Sequence, residues 1–343
     1  MFAVIDCGTT NTRVYILDNN YNIASKGFKK AGVRDTAISG SNQILKEGIV
    51  EAFNIALESG NFSLNQIEYA IAFGMITSEI GLIEIPHLTA PVNIEDLASN
   101  VKVVRDINIF PINIPVVFIR GIKNKFTDFG LRGIRKIDFM RGEETQVTGL
   151  LKQIMPKLPI NIIVLSSHTK LINVNERSEI KGCITTISGQ IFEAIKKETS
   201  IGVCMKNTKE NEYIEDFFSE EILNTAYESV LNSGFIRTLL MPRFMNTLLK
   251  TEWYERKFFV DAAIAAEDMK IFKEAKETMG FEIDTDIILI GHKERCMIYE
   301  YLIKKQKGFN HNVVSIWDKE DIDMLAIKGA TEIVQRTKTF KSI

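Results

Sequence analysis

The sequence predicts an α/β protein of two domains, and three observations carry that prediction. The 343 residues are long for one core and comfortable for two. A run of three strand patterns occurs twice, near residue 1 and near residue 160. Each run is followed by alternating helix and strand patterns, complete in the second half and rougher in the first.

In chain order, residues 2–5 form a short apolar strand, interrupted by the turn-forming Asp6-Cys7-Gly8-Thr9-Thr10. Residues 12–17 (TRVYIL) alternate polar and apolar as a half-buried strand does. Asp18-Asn19-Asn20 supplies turn chemistry before a third strand at 21–28, so three antiparallel strands open the chain. A helix over 42–58 puts Leu45, Ile49, Phe53 and Ala56 on one face. Residues 68–73 read as a buried strand ending at Gly74, and 96–135, punctuated by Pro111 and Pro115, reads as irregular loops. The second run has strands at 161–165, 171–174 and 179–187, broken by Ser166-Ser167-His168-Thr169. Its tail alternates helix and strand: 268–279, 286–291, 294–304, 312–316 and 321–337. Residues 217–254 carry helical periodicity with no strand pattern. The expected division is 1–138 and 139–343, with a helical insertion at about 200–255 in the second domain.

Bulk properties narrow the function. Lys+Arg at 42 nearly cancel Asp+Glu at 44, leaving a formal charge of −2 and no basic field for nucleic acid. No apolar run approaches the roughly 18 residues a bilayer requires, and no basic leader precedes the first apolar stretch. Cys7, Cys183, Cys204 and Cys296 are scattered without metal-type spacing and read as reduced, buried thiols of a cytoplasmic protein.

Two motifs carry chemistry. In Asp6-Cys7-Gly8-Thr9-Thr10-Asn11-Thr12-Arg13, a carboxylate at a strand end is followed by glycine and hydroxyl residues in a hairpin. Glycine lets the backbone approach a phosphate, amides and Thr hydroxyls donate to its oxygens, and Asp6 can hold magnesium directly or through water. No Gly-Lys-Ser/Thr follows, so this is not a Walker loop. In Met140-Arg141-Gly142-Glu143-Glu144-Thr145-Gln146, a glycine precedes a helix read over 147–155. Acids here satisfy ordinary helix-dipole preferences. They also suit a base, Glu143 or Glu144, for a hydroxyl attacking a phosphate, beside an arginine fork for a substrate carboxylate or phosphate.

The opening hairpin resembles the first phosphate loop of the actin/hexokinase/heat-shock-chaperone superfamily. The heptapeptide from Met140 is similar to the signature of the 2-dehydro-3-deoxygalactonate kinase family within it. Other segments agree in order: Lys30-Ala31-Gly32-Val33, Phe73-Gly74-Met75-Ile76-Thr77-Ser78, Ser166-Ser167-His168-Thr169-Lys170 and Thr186-Ile187-Ser188-Gly189. The resemblance implies two ribonuclease H-like (actin-like ATPase) domains around a cleft. It implies transfer of the ATP γ-phosphate to the 6-hydroxyl of 2-dehydro-3-deoxy-D-galactonate or a close relative. Asp6, Arg141, Glu143 and Glu144 are then the catalytic candidates, with Asp6 a competing base and the magnesium ligand. Gly8, Thr9, Thr10, Asn11, Arg13, Ser167, His168, Lys170 and Gly291 are the nucleotide candidates, and Gly32, Gly74, Met75, Ser78 and Arg141 the substrate candidates. ATP and Mg²⁺ are the expected cofactors and a small sugar acid the partner, with no nucleic acid and no membrane; a homodimer is kept open. The chain departs from the family pattern at Ser166 (glycine), Leu171 (commonly tryptophan), Gln190 (glutamate) and Ile290-Gly291-His292-Lys293-Glu294-Arg295, where the family has Gly, Ser and Thr. Two alternatives stand beside the kinase reading: another kinase on the scaffold, such as a type III pantothenate kinase, and a nucleotide- or sugar-acid-binding sensor without phosphotransfer.

Overall fold

The structure is a computed structural model and describes residues 1–128, 130–207, 217–305 and 309–337. Two compact units emerge: 1–156 with 175–182 and 323–343, and 157–174 with 183–322.

The first unit opens with β1 (Phe2–Cys7), β2 (Thr12–Leu17) and β3 (Ile23–Lys29), then α1 (Val33–Ser39), α2 (Gln43–Ser59) and β4 (Ala70–Gly74). Strand β1 pairs antiparallel with β2 and parallel with β4, which places Asp6 opposite Arg13 on one side and Phe73 on the other. A strand flanked this way is buried on both faces, which is why residues 2–5 are continuously apolar rather than alternating. Helix α2 supplies Leu45, Ile49, Ala52, Phe53 and Ala56 to the core under this sheet. The helix expected at 42–58 is thus present, on the expected face.

After β5 (Leu88–Thr89) and α3 (Ile94–Ser99), strands β6 (Lys102–Val104) and β7 (Val116–Phe118) extend the sheet to the order β3-β2-β1-β4-β7-β6. These two strands correct the expectation of irregular loops over 96–135. At three residues each they are too short to show a period, and the prolines between them mask them further. The short β8 (Ile122–Lys123) and β9 (Phe139–Met140) pair with β5 in a separate three-stranded sheet, and α4 (Glu143–Ile154) follows. The helix expected from 147 therefore starts at Glu143, with Glu144 in its first turn.

The second sheet has order β12-β11-β10-β13-β14, from β10 (Ile160–Leu165), β11 (Thr169–Val174), β12 (Ile180–Thr186), β13 (Asp286–Gly291) and β14 (Val313–Ile316). Its β10 pairs antiparallel with β11 and parallel with β13, the same scheme as β2-β1-β4. Between β12 and β13 the described residues are helical: α5 (Ser188–Glu198), α6 (Ser200–Cys204), α7 (Glu220–Ser233), α8 (Phe235–Thr238), α9 (Met241–Phe244), a π-turn at Met245–Leu249, α10 (Trp253–Asp268) and α11 (Lys270–Met279). Residues 208–216 of the expected helical insertion lie outside the described residues. Phe258 and Phe259 of α10 are core, whereas Trp317 is 47% exposed beneath the Lys293 ammonium.

After α12 (Lys293–Lys305) comes α13 (Lys319–Arg336), which from Asp323 onward belongs to the first unit. A Cβ on Gly149 of α4 would lie 1.9 Å from the Leu325 carbonyl oxygen, and one on Gly329 would lie 1.8 Å from that of Thr145. Only bare backbone permits that crossing. It is also why the compact units differ from a cut at 138/139: α4 and the end of the chain are packed together. No helix among the described residues is long and apolar enough to cross a membrane.

Candidate active site

The hairpin between β1 and β2 is fixed through its carbonyls. The Gly8 amide donates to Asn11 O at 2.9 Å, closing the turn, and the first amides of α1, from Val33 and Arg34, donate to Gly8 O and Thr9 O. A Cβ at Gly32 would fall 2.5 Å from Thr9 O, so this glycine lets helix and hairpin touch. Occupying the carbonyls this way suits a phosphate cradle, since unoccupied carbonyl oxygens would repel the anion. Asp6 accepts from Arg13 Nη1 at 2.9 Å through Oδ2 and keeps 26% of its side chain exposed. Desolvation raises its carboxyl pKa; Arg13 opposes that shift and the nearby Asp323 adds to it.

Asp6, Gly74 and Gly142 are contiguous. At Gly74 (φ +84°), the end of β4, a Cβ would lie 2.7 Å from Cys7 O and 3.7 Å from Asp6 Oδ1. A Cβ at Gly142 (φ +109°) would lie 3.4 Å from Gly74 Cα. The two positive-φ glycines thus bring the start of α4 against the strand end that bears Asp6.

The acids at the start of α4 separate. Glu144 is fully buried, and both its carboxylate oxygens lie 2.8 Å from the Gly142 amide that donates to them. Burial, with the charge of Glu143 added, pushes it up to about 8. That corrects its candidacy as the base: it holds the Gly142 turn and has no surface for a substrate. Glu143 is half-buried. Arg141 is engaged likewise, donating through Nη1 to Thr77 Oγ1 at 2.7 Å and through Nη2 to Ile85 O at 2.8 Å, with His87 Nδ1 at 3.4 Å. Its fork ties the segment after β4 to β9 rather than standing open. Ser78, 1% exposed, donates to Met75 O within the turn that follows Gly74. Its hydroxyl is thus turned to the backbone, away from solvent.

In the second unit the turn between β10 and β11 is also held by its carbonyls. Gln190 N donates to Ser167 O at 2.9 Å, and Ser166 N and Oγ donate to His168 O. Ser167 Oγ lies 3.2 Å from His168 Nδ1, and Gln190 Nε2 lies 3.4 Å from His168 Nε2. Ser166 and Ser167 are exposed, so the turn surface stays open despite the serine at 166. Lys170 corrects another expectation: it is 7% exposed and donates to Thr185 Oγ1 at 3.0 Å, inside the sheet rather than at the turn. Gly291 ends β13 against Leu165, where a Cβ would come within 2.7 Å.

Asp323 was not singled out in the sequence. It lies near Tyr15 and the Asp6–Arg13 pair from α13, and its charge adds to the burial that raises the Tyr15 hydroxyl pKa. Its only sequence signal is a carboxylate between the apolar Ile322 and Met324. Among the described residues no cluster of three or more His, Cys, Asp or Glu forms a protein-only metal cage. Magnesium that shares its shell with phosphates and water needs one or two carboxylates. Asp6, whose Oδ1 is not engaged by Arg13, fits that requirement.

Two sheets of one topology, each with a tight turn at its β-hairpin, make the fold that of the actin-like kinases. The family model of 2-keto-3-deoxy-galactonokinase matches residues 6–322, and the chain belongs to that family. Among solved structures, a candidate 2-dehydro-3-deoxygalactonokinase from Sinorhizobium meliloti superposes with a TM-score of 0.71 at 16% identity, covering 98% of both chains. That likeness shows the fold. An ADPNP-bound activator of 2-hydroxyisocaproyl-CoA dehydratase from Clostridium difficile gives a TM-score of 0.48 at 9% identity, covering 100% and 97%. A ROK-family glucokinase from Streptomyces griseus, solved with glucose and AMPPNP, gives 0.44 at 10%, covering 97% and 99%. No curated protein matches the chain by sequence. The family match favours a sugar-acid kinase over both the sensor and the pantothenate kinase alternatives.

Proposed function

We infer that the chain transfers the γ-phosphoryl group of ATP to the 6-hydroxyl of 2-keto-3-deoxygalactonate or a close epimer, with Asp6 as general base. The observation that supports this most is the position of Asp6: partly exposed, raised in pKa, and beside Gly74, which itself lies against Gly142. A carboxylate with a raised pKa is a better proton acceptor than an ordinary one. As the hydroxyl oxygen bonds to the γ-phosphorus, its proton passes to Asp6 and the bond from the γ-phosphorus to the bridging oxygen breaks, releasing ADP. Arg13 holds the Asp6 carboxylate across the hairpin, and the amides of 9–11 hold phosphate oxygens. Asp6 would also hold magnesium, directly or through water, and the ion would neutralise phosphate charge. Glu143, half-buried at the start of α4, is the second candidate base. A cytoplasmic location and a homodimer complete the reading as expectations.

The test is ADP release from purified protein with ATP, Mg²⁺ and a panel of 2-keto-3-deoxy acids. Turnover with the galactonate epimer and a loss of roughly 10²–10⁴-fold in kcat for Asp6→Asn are expected. If Asp6→Asn keeps its turnover while Glu143→Gln loses it, the base is Glu143. No turnover with any acid rejects the substrate assignment.

A further inference from the structure

Arg295, at the start of α12, does not face outward. Its side chain is 13% exposed. Nη1 donates to the Ser166 carbonyl at 3.2 Å, Nη2 lies 3.4 Å from the Tyr299 hydroxyl, and the guanidinium sits 5.7 Å from the Tyr299 ring centroid. Behind it, Nε lies 3.9 Å from Asp261 Oδ1, a buried oxygen that accepts no hydrogen bond from a described residue. Tyr299 in turn donates to Asp268 Oδ2 at 2.5 Å, and Ser188 Oγ donates to the same oxygen at 2.5 Å. Ser188 precedes Gly189, whose backbone closes on Ser166 so tightly that a Cβ would lie 2.2 Å from Ser166 O.

The Ser166 carbonyl therefore lies against the Gly189 backbone on one side and accepts from Arg295 on the other, with Asp261 near the Arg295 charge. At the first hairpin the Gly8 and Thr9 carbonyls accept from amides of α1, with no cationic side chain on them among the described residues. A serine at 166 lacks the shape freedom of glycine, and a cationic side chain on its carbonyl fixes the turn by other means.

We propose that Arg295, anchored by Asp261, is a positioning residue that holds the 166–168 turn in its nucleotide-binding form. The proposal rests on the kinase reading only in taking this turn as a phosphate contact. Its test compares wild type, Arg295→Lys and Arg295→Ala by titration with a non-hydrolysable ATP analogue and Mg²⁺, and by steady-state kinetics. Expected for Arg295→Ala is a rise of roughly tenfold in the analogue Kd and in KM for ATP. The acceptor KM stays within about twofold, and Arg295→Lys, which keeps the charge, recovers part of the loss. Unchanged analogue affinity in both variants overturns the proposal, as does an acceptor KM that rises as much as that for ATP. If Arg295→Ala does not fold, wild-type affinity in Arg295→Lys overturns it. Wild type that binds the analogue yet turns over no sugar acid rejects the substrate assignment alone, and the affinities still judge Arg295. Wild type that binds no nucleotide overturns the proposal.

Discussion

Glu143 and Glu144 are neighbours in sequence and opposites in environment. Consecutive helical residues project about 100° apart, so one of the pair turns inward and the other stays half-exposed. The sequence treats them alike because both satisfy the same first-turn preference; the direction of the core decides between them. The inward acid has a measurable signature. Its pKa rises from 4.5 to about 8 on folding, so between those values the folded chain carries a proton the unfolded chain has lost. Stability then falls as pH rises, by up to about 1.4 kcal/mol per pH unit. Glu144→Gln abolishes that part of the slope, and urea unfolding of the two proteins at pH 5 and pH 8 would measure it. The variant is expected to keep catalytic turnover, provided the Gly142 turn holds.

At the scale of elements, the crossing of α4 and α13 is the most demanding contact in the first unit. Gly329→Ala places a methyl carbon 1.8 Å from a carbonyl oxygen, which only a shift of one helix relieves. A loss of about 1–3 kcal/mol or more is expected, read as a lower urea midpoint with the transition slope unchanged. Legibility follows element length and environment. Strands β1 and β10, buried on both faces, announced themselves as apolar runs, and α2 did so by its period. Strands β6 and β7 were hidden because three residues make no pattern. At the site, the hairpin at Asp6 was legible from local chemistry, glycine and hydroxyls after a carboxylate. The engagement of Arg141 by Thr77 and Ile85, and of Lys170 by Thr185, was not. Those partners lie across the sequence, and only tertiary packing brings a donor and an acceptor together.

For the molecule as a whole, binding energy should appear as resistance to unfolding. A nucleotide that binds only the folded chain stabilises it by about 2.7 kcal/mol at a hundred times its Kd. ATP with Mg²⁺ is expected to raise the thermal midpoint of wild type, and EDTA is expected to shrink the shift and abolish ADP formation. A shift indifferent to EDTA would place metal binding elsewhere than at the phosphates. A formal charge of −2 supplies no attractive field for two anionic substrates, so their capture depends on local donors.

The return of α13 to the first unit also bears on how the protein is made. Asp323, which meets Asp6, Arg13 and Tyr15, leaves the ribosome after the second sheet has been synthesised. At roughly 5–20 residues per second, the nascent first sheet waits many seconds with the α4 crossing at Gly149 unfilled. Until then Tyr15 and the Asp6–Arg13 pair lack the charge of Asp323. A shortened gene product ending before residue 323 would therefore carry the whole signature sequence and still lack that carboxylate.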